Sequence, residues 1–359
     1  MPSLLRSIRV VVFAWFFLVV GAVALRAAEV IRPKVVVVAM FEPGQDTGDT
    51  PGEFQFWVER EKLTRVLPFP QGYRDLRTNA DGSVLGVVTG VGTAKSAATI
   101  MALGLDPRFD FKKSYWLVAG IAGVDPHDAP LGSAVWAEWL VDGDLGHEID
   151  AREMPAGWTT GYIPLRKKKP YELPVDRSEG EAFQLVPGFV EWAYQLTKDT
   201  PLADSEPMRK RRALYTGYPN AQRPPLVLKG DNLAAMTYWH GKLLNQWAND
   251  WVKYFSDGKG NYVTTAMEDT GTYQSLLWLT RAGRTDVKRL LVLRTASNFD
   301  MQWPGGDAAE SLSGEKLGAG YSAYIPSLEA AHKVGSRVVH ELVKNWTRYA
   351  DAPPTAAVK

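Results

Sequence analysis

The chain contains no cysteine, which excludes disulfides and thiolate metal sites and leaves the compartment open. It has no surplus of either charge: 41 Lys and Arg face 40 Asp and Glu, a formal net charge of +1. A nucleic-acid partner needs a basic field, so none is expected. Histidine is scarce. The five residues His127, His147, His240, His332 and His340 are scattered. His332 and His340 share one expected helix but stand eight apart, not the four of a zinc pair, so no metal site is expected. No cofactor is expected either. Beyond the N-terminus no stretch approaches the ~20 apolar residues of a spanning helix, so the rest of the chain cannot form a multi-helix channel by itself.

What is present is a globular composition: 359 residues, 45% hydrophobic and 23% charged, enough to bury a large core. Thirteen Trp and fourteen Tyr mostly serve core and surface, with some available to line a pocket for a flat ligand. The N-terminus has a positive start (Arg6, Arg9), then the apolar run "VVVFAWFFLVVGAVAL" over residues 10–25, then small residues. This pattern predicts an export signal, residues 1–28, cut between Ala24 and Glu29. The expected location is periplasmic or secreted, with an uncleaved N-terminal membrane anchor as the alternative. Residues 29–350 are expected to form one α/β domain, and 351–359 a frayed tail.

Strands are predicted at "KVVVVAM", "SVLGVVTGVG", "SYWLVAGIAGVDP", "SAVWAEWLV", "YVTTAM" and "RLLVLRTASNFD". Helices are predicted at "TAKSAATIMALGL" with Thr93 as N-cap, "FVEWAYQLTKD", "DTGTYQSLLWLTRAG" and "PSLEAAHKVGSRVVHELVKNWTRYA". "DNLAAMTYWHGKLLNQWANDWVKYFSDGKG" reads as a helix interrupted near Gly241, and residues 150–182 as a surface excursion. Alternating elements of this kind imply a largely parallel or mixed sheet covered by helices. In such sheets ligands sit at the carboxyl ends of the strands. The candidates there are Glu42, Thr89 to Thr93, Gly120 to Gly123, Met267 to Asp269 and Ser297 to Asp300.

In chain order, "VVVVAMFE", "VVTGVGTAKSA", "LVAGIAGVDPHDAPLGSAVWAEWLVDGD", "LKGDNL", "TTAMEDTGT" and "LRTASNFD" resemble the nucleoside phosphorylase and nucleosidase superfamily. Within it, "FEPGQDTGDTPGE", "TYWHG" and "AMEDTGT" resemble the purine nucleoside permease family. The resemblance implies a nucleoside phosphorylase-like fold, a three-layer α/β/α sandwich with a central mixed sheet. It implies a purine nucleoside as ligand. Met267 would pack on the sugar, and Glu268 would accept hydrogen bonds from both ribose hydroxyls, as a carboxylate with two acceptor oxygens can. Without the resemblance, a helix cap by Glu268 or Asp269 is the favoured reading; with it, capping falls to Asp269 or Thr270. Thr89, Gly90, Gly92, Thr93, Gly123 and Asp231 fall in the remaining substrate-binding segments.

At the base end the resemblance places Asn298 at the purine N7, with Asp300 as the nearby carboxylic acid. An amide donates to N7, whereas an acid with a raised pKa can protonate it. One ring of Tyr238, Trp239 and His240 is a candidate to stack on the base. The loop after the first strand holds acidic residues and no Arg or Lys, so water suits it better than phosphate. Glu42 is the candidate base for that water. The expected function is an exported purine-nucleoside-binding protein with a nucleosidase-like site. The alternative is a non-catalytic uptake component that works with a membrane transporter. A third option is a retained fold with a different small ligand; as an enzyme, a phosphorylase is less favoured than a hydrolase, and a homo-oligomer is left open.

Overall fold

The computed structural model describes residues 30–316 and 322–357. The expected export signal lies outside the described residues. Among them, no helix is long and apolar enough to cross a membrane.

The core strands are β1 (Val35–Ala39), β2 (Val84–Val88), β3 (Tyr115–Val124), β4 (Ala134–Trp136), β5 (Trp139–Asp142), β6 (Val227–Lys229), β7 (Asp231–Ala234), β8 (Tyr262–Ala266) and β9 (Leu290–Phe299). They belong to one mixed sheet. Four consecutive valines make β1 an extended segment, because branching at Cβ disfavours the helix and suits a pleated surface. All five of its residues are buried. Full burial of a valine is worth about 1.5–3 kcal/mol, so this run anchors the sheet. The flanking helices are α1 (Thr93–Leu105), α2 (Lys242–Phe255), α3 (Asp269–Arg281) and α4 (Tyr324–Lys344). The result is the mixed α/β architecture that the alternation of elements implied.

One feature of the sheet positions the site. β3 pairs in parallel with β9 from Trp116 to Val124, which occupies one edge for almost its whole length. On its other edge, residues 115–118 pair in parallel with β1, whereas Val124 and Gly123 pair antiparallel with β8. β1 and β8 therefore part company beside Gly120, Ile121 and Ala122. The sheet splits there, and backbone groups that a neighbour would normally satisfy face a cavity.

Several boundaries differ from the sequence reading. The first part of the expected 231–260 helix is instead strand β7. The Asp231 carboxylate accepts N–H bonds from Glu138, Trp139 and Asn261, and Asn232 bonds Thr264 and Asp269, so tertiary pairing outweighs helical periodicity. "SAVWAEWLV" forms two short strands, β4 and β5. Thr93 is the first residue of α1 and Gly92 its cap. The expected frayed tail lies against the body: Ala356 N–H donates to Gly188 O, and Tyr115 Oη donates to Ala352 O.

Candidate functional site

The cavity where the sheet splits has a volume of about 320 Å³. Its walls include Met40, Phe41, Glu53, Ile121, Gly123, Met267, Glu268, Arg294, Asn298, Asp300 and Tyr324. They come from the end of β1 and the loop after it, from β3, from the end of β8, from β9 and from the start of α4, so five chain segments far apart in sequence meet here.

The loop after β1 is built around Glu42. One of its oxygens accepts from Gly52 N–H at 2.5 Å, the other from Phe54 and Gln55 N–H at 2.9 and 2.7 Å. Burial raises the proton affinity of Glu42, and these N–H bonds oppose the rise. Arg74 ties the loop from outside, donating to Glu42 O, Gly44 O and the Asp46 carboxylate. The Glu42 side chain thus folds the loop back on itself and is not part of the cavity wall. The carboxylate that enters the cavity is Glu53, at the far end of the same loop.

Glu53 fills the gap between the diverging strands. Its oxygens accept Met40 N–H and Ile121 N–H, each at 2.7 Å, standing in for a missing strand neighbour. Gly120 leaves room for it: a Cβ there would fall 2.5 Å from Glu53 Oε1. Burial pushes the Glu53 carboxyl up to about 8; Arg294 opposes this and Glu268 adds to it.

At the neighbouring wall, Glu268 accepts from Gly92 N–H at 3.1 Å, from Arg294 Nη2 at 3.0 Å and from Met267 N–H at 3.2 Å. Gly90 and Gly92 hold φ of +84° and +99°, a left-handed turn that glycine adopts without steric cost and that delivers this N–H. Thr93 Oγ1 donates to Met267 O and Ser96 Oγ to Glu268 O, so the "GVGTAKS" turn grips the "AMEDTGT" turn. Arg294, 1% exposed, also bonds both oxygens of Asp269 and Ile121 O. Burial raises the Glu268 carboxyl, and Arg294 restrains that rise. Glu268 stands at the N-cap position of α3 but makes no side-chain cap bond. Asp269 and Thr270 do not cap either: Asp269 is engaged by Arg294 and Asn232, and Thr270 donates to Asp142.

Asn298 and Asp300 also line the cavity, two apart on one face of the extended chain and just past a register shift in β9. Asn298 Oδ1 accepts from Ser297 Oγ at 2.8 Å, and one amide hydrogen goes to Phe299 O at 3.1 Å. Among the described residues the second amide hydrogen has no acceptor. Asp300 accepts from Tyr262 Oη at 2.5 Å and from Asn245 Nδ2 at 3.1 and 3.2 Å. Burial lifts the Asp300 carboxyl well above the usual carboxylate range, and the charge of Asp125 lifts it further. Tyr238 and Trp239 also line the cavity.

Of the sequence candidates, the structure brings together Gly123, Met267, Glu268, Asn298 and Asp300 in the cavity wall. Gly92 touches it through Glu268. Thr89, Gly90 and Thr93 support the turn behind it, with Val91 of the same turn in the wall. Asp231 sits away, clasping β5 to the start of β8. Glu53, Arg294, Tyr262 and Asn245 were not singled out. Arg294 had a readable signal: an arginine inside the ten buried residues of β9 demands a buried carboxylate partner. Glu53 had none, since loop closure alone selects it over Glu42.

Solved structures similar to this chain include a 5'-methylthioadenosine/S-adenosylhomocysteine nucleosidase from Colwellia psychrerythraea in complex with adenine. The TM-score is 0.51 at 15% identity, covering 88% of this chain and 96% of that one. The corresponding Streptococcus pneumoniae enzyme with a transition-state inhibitor also gives 0.51 at 15% identity, covering 86% and 98%. At such identity the likeness shows the fold. Among curated proteins, a purine nucleoside permease from Candida albicans is 28% identical over 323 residues, 89% of this chain and 77% of the relative. A probable purine nucleoside permease from Schizosaccharomyces pombe is 26% identical over 332 residues, 89% and 91% respectively. The family profile described as purine nucleoside permease (NUP) matches residues 32–354, nearly the whole described chain, and the protein belongs to that family.

Proposed function

We propose that the cavity binds a purine nucleoside and that its chemistry is cleavage of the N-glycosidic bond by water. The observation that carries this reading is one cavity lined by two buried carboxylates, Glu268 and Glu53, together with Asn298 and Asp300. Glu268, kept charged by Arg294, receives the ribose hydroxyls. Asn298 donates to the base. Glu53, rather than Glu42, takes the proton from water in its ionised form, which becomes populated as pH rises toward 8 and is a far stronger base than an ordinary carboxylate. The water oxygen bonds to the anomeric carbon and the glycosidic bond breaks. Asp300 gives its proton to the departing purine. Free base and ribose result.

Phosphate fits poorly. Among the described residues, Arg294 is the one Lys or Arg in the cavity wall, and its guanidinium is engaged by Glu268 and Asp269. The names of the relatives support purine nucleosides as ligand and favour a second reading, capture for uptake without cleavage. In that role the protein would hand the nucleoside to a separate membrane transporter. The N-terminal sequence pattern supports a location outside the cytoplasm, after loss of the signal or held by it as an anchor.

The test is incubation of the protein with adenosine, guanosine and inosine, with and without phosphate. Free base with ribose supports hydrolysis. Ribose 1-phosphate, formed at a rate that saturates with phosphate, overturns it. Intact nucleoside recovered from a tight complex supports the uptake reading.

A further inference from the structure

Behind Asp300 a second buried carboxylate is connected to the surface. Asp125 lies in the turn after β3 and is 0% exposed. Its Oδ1 accepts from the backbone N–H of His127 at 2.8 Å and pairs with His127 Nδ1 at 2.7 Å; its Oδ2 accepts from Asn249 Nδ2 at 2.8 Å. Asn249 also donates to Asn245 O at 3.1 Å, and Asn245 donates to both oxygens of Asp300. Asn245 and Asn249 are one turn apart on α2, with Asn249 Nδ2 3.5 Å from Asn245 Oδ1, so the two amides form a short bridge with a carboxylate at each end. The backbone reinforces it: Asp300 N–H donates to Val124 O, and Asp125 N–H to Val263 O. The His127 side chain, 54% exposed, is the solvent end of the chain of bonds.

Resting on the reading of Asp300 as the group that protonates the departing base, we propose that Asp125 is the positioning residue that keeps Asp300 in its acid form, and that His127 adjusts it from the surface. The physics is electrostatic. An amide pair does not conduct protons, but a buried anion on its far side makes a second anion at Asp300 costly. The groups facing Asp300 are Tyr262 from β8, Asn245 from α2 and Asp125 from the turn after β3; none is a cation. Around Asp125 stand His127 and Asp128, with Lys242 and Lys253 of α2 and Tyr218 acting on the same cluster. A charge on His127 cancels that of Asp125 and loosens the Asp300 proton; loss of that charge tightens it. The bond to Asp125 raises the proton affinity of His127, so this adjustment falls above the ordinary histidine range.

The experiment is the pH dependence, from 5 to 10, of adenosine and inosine affinity and of any cleavage, for the full chain and three variants, with thermal melts in parallel. If Asp300 is the acid, Asp300→Asn removes the alkaline limb. Asp125→Asn is expected to move that limb at least one unit toward acid, about a tenfold loss where the native protein sits on its shoulder. His127→Arg, at a half-exposed position, holds Asp125 permanently neutralised and moves the limb the same way by less. A limb removed by Asp300→Asn but unmoved in both other variants overturns the role of Asp125. A limb that survives Asp300→Asn overturns instead the reading of Asp300 as the acid.

Discussion

At one end of the cavity a buried carboxylate, Glu268, faces a guanidinium; at the other, Asp300 faces a phenol and an amide. Burial acts on both in the same direction, toward the protonated form. The partners then separate them. A cation restrains the rise at Glu268, which leaves an acceptor for hydroxyl groups. Neutral partners and the nearby Asp125 leave the rise at Asp300 unopposed by charge, which yields a donor. Two carboxyl groups in one cavity thus acquire opposite hydrogen-bonding roles from their surroundings.

Removing the guanidinium attacks the comparison most directly. Arg294→Met strands Glu268 and Asp269 in the interior without a countercharge. Breaking a buried pair this way costs about 3–5 kcal/mol, and here two carboxylates share the one cation. Urea unfolding should show a loss in that range. At the other end, Asp300→Asn removes no cation-balanced charge and should cost clearly less. Similar losses for the two variants would mean that Glu268 is already protonated and that the two ends do not differ.

Glu53 adds a pH dependence of defined sign. Its carboxyl titrates near 4.5 when unfolded and near 8 in the fold, so the fold binds the extra proton between those limits. Its stabilising contribution is therefore complete below about 4.5 and is lost as pH rises through 8, by at most about 1.4 kcal/mol per unit. Glu53→Gln leaves one of the Met40 and Ile121 N–H groups without an acceptor and lowers stability at low pH, where the native Glu53 carries its proton. It should nevertheless flatten the decline between pH 5 and 8 seen in the native protein. A decline of unchanged slope would assign that proton elsewhere.

How much of this was readable follows from which contacts are local. The buried runs of β1, β3 and β9 are patterned in consecutive residues, and so are the polar groups at their ends. Met267, Glu268 and Asn298 could therefore be placed at strand mouths. Glu42 and Glu53 could not be told apart, because the loop between them closes through Glu42's own bonds to Gly52, Phe54 and Gln55. Asp231 carried a segment shared with the superfamily yet serves the sheet, since its three partners come from strand ends far away in sequence. The bridge from Asp300 to His127 was equally hidden: it joins the β3 turn, α2 and β9, and no local pattern marks it.

A smaller effect tests what Glu268 does with its charge. Glu268→Ala removes the acceptor for two ribose hydroxyls, and one charge-assisted bond is worth roughly 1.5–3 kcal/mol. Even a single such bond predicts about a tenfold loss of nucleoside affinity. With a 2′,3′-dideoxy ligand the loss should nearly vanish, since the hydroxyls that need the carboxylate are gone. Additive effects of the variant and the dideoxy change would show that Glu268 does not meet the sugar.

The smallest effect is expected at Asn298, where the contact is neutral. Its amide has one hydrogen on Phe299 O and one without an acceptor among the described residues, while its oxygen accepts from Ser297. In Asn298→Ala the Ser297 hydroxyl still has Ala122 O within reach at 3.1 Å, so most of the local bonding survives. What the ligand loses is one neutral hydrogen bond, about 1 kcal/mol net, or several-fold in affinity. That is less than the charge-assisted loss at Glu268, and it should fall on a different part of the ligand. Isothermal titration with a purine nucleoside and with a ribose-only inhibitor separates the two. The nucleoside should weaken while the sugar analogue binds as before, the reverse of the Glu268→Ala pattern, which touches any ligand carrying both hydroxyls. Equal weakening of both ligands by Asn298→Ala would place its amide on the sugar side, and the division of the cavity into an ionised ribose end and a neutral base end would fail.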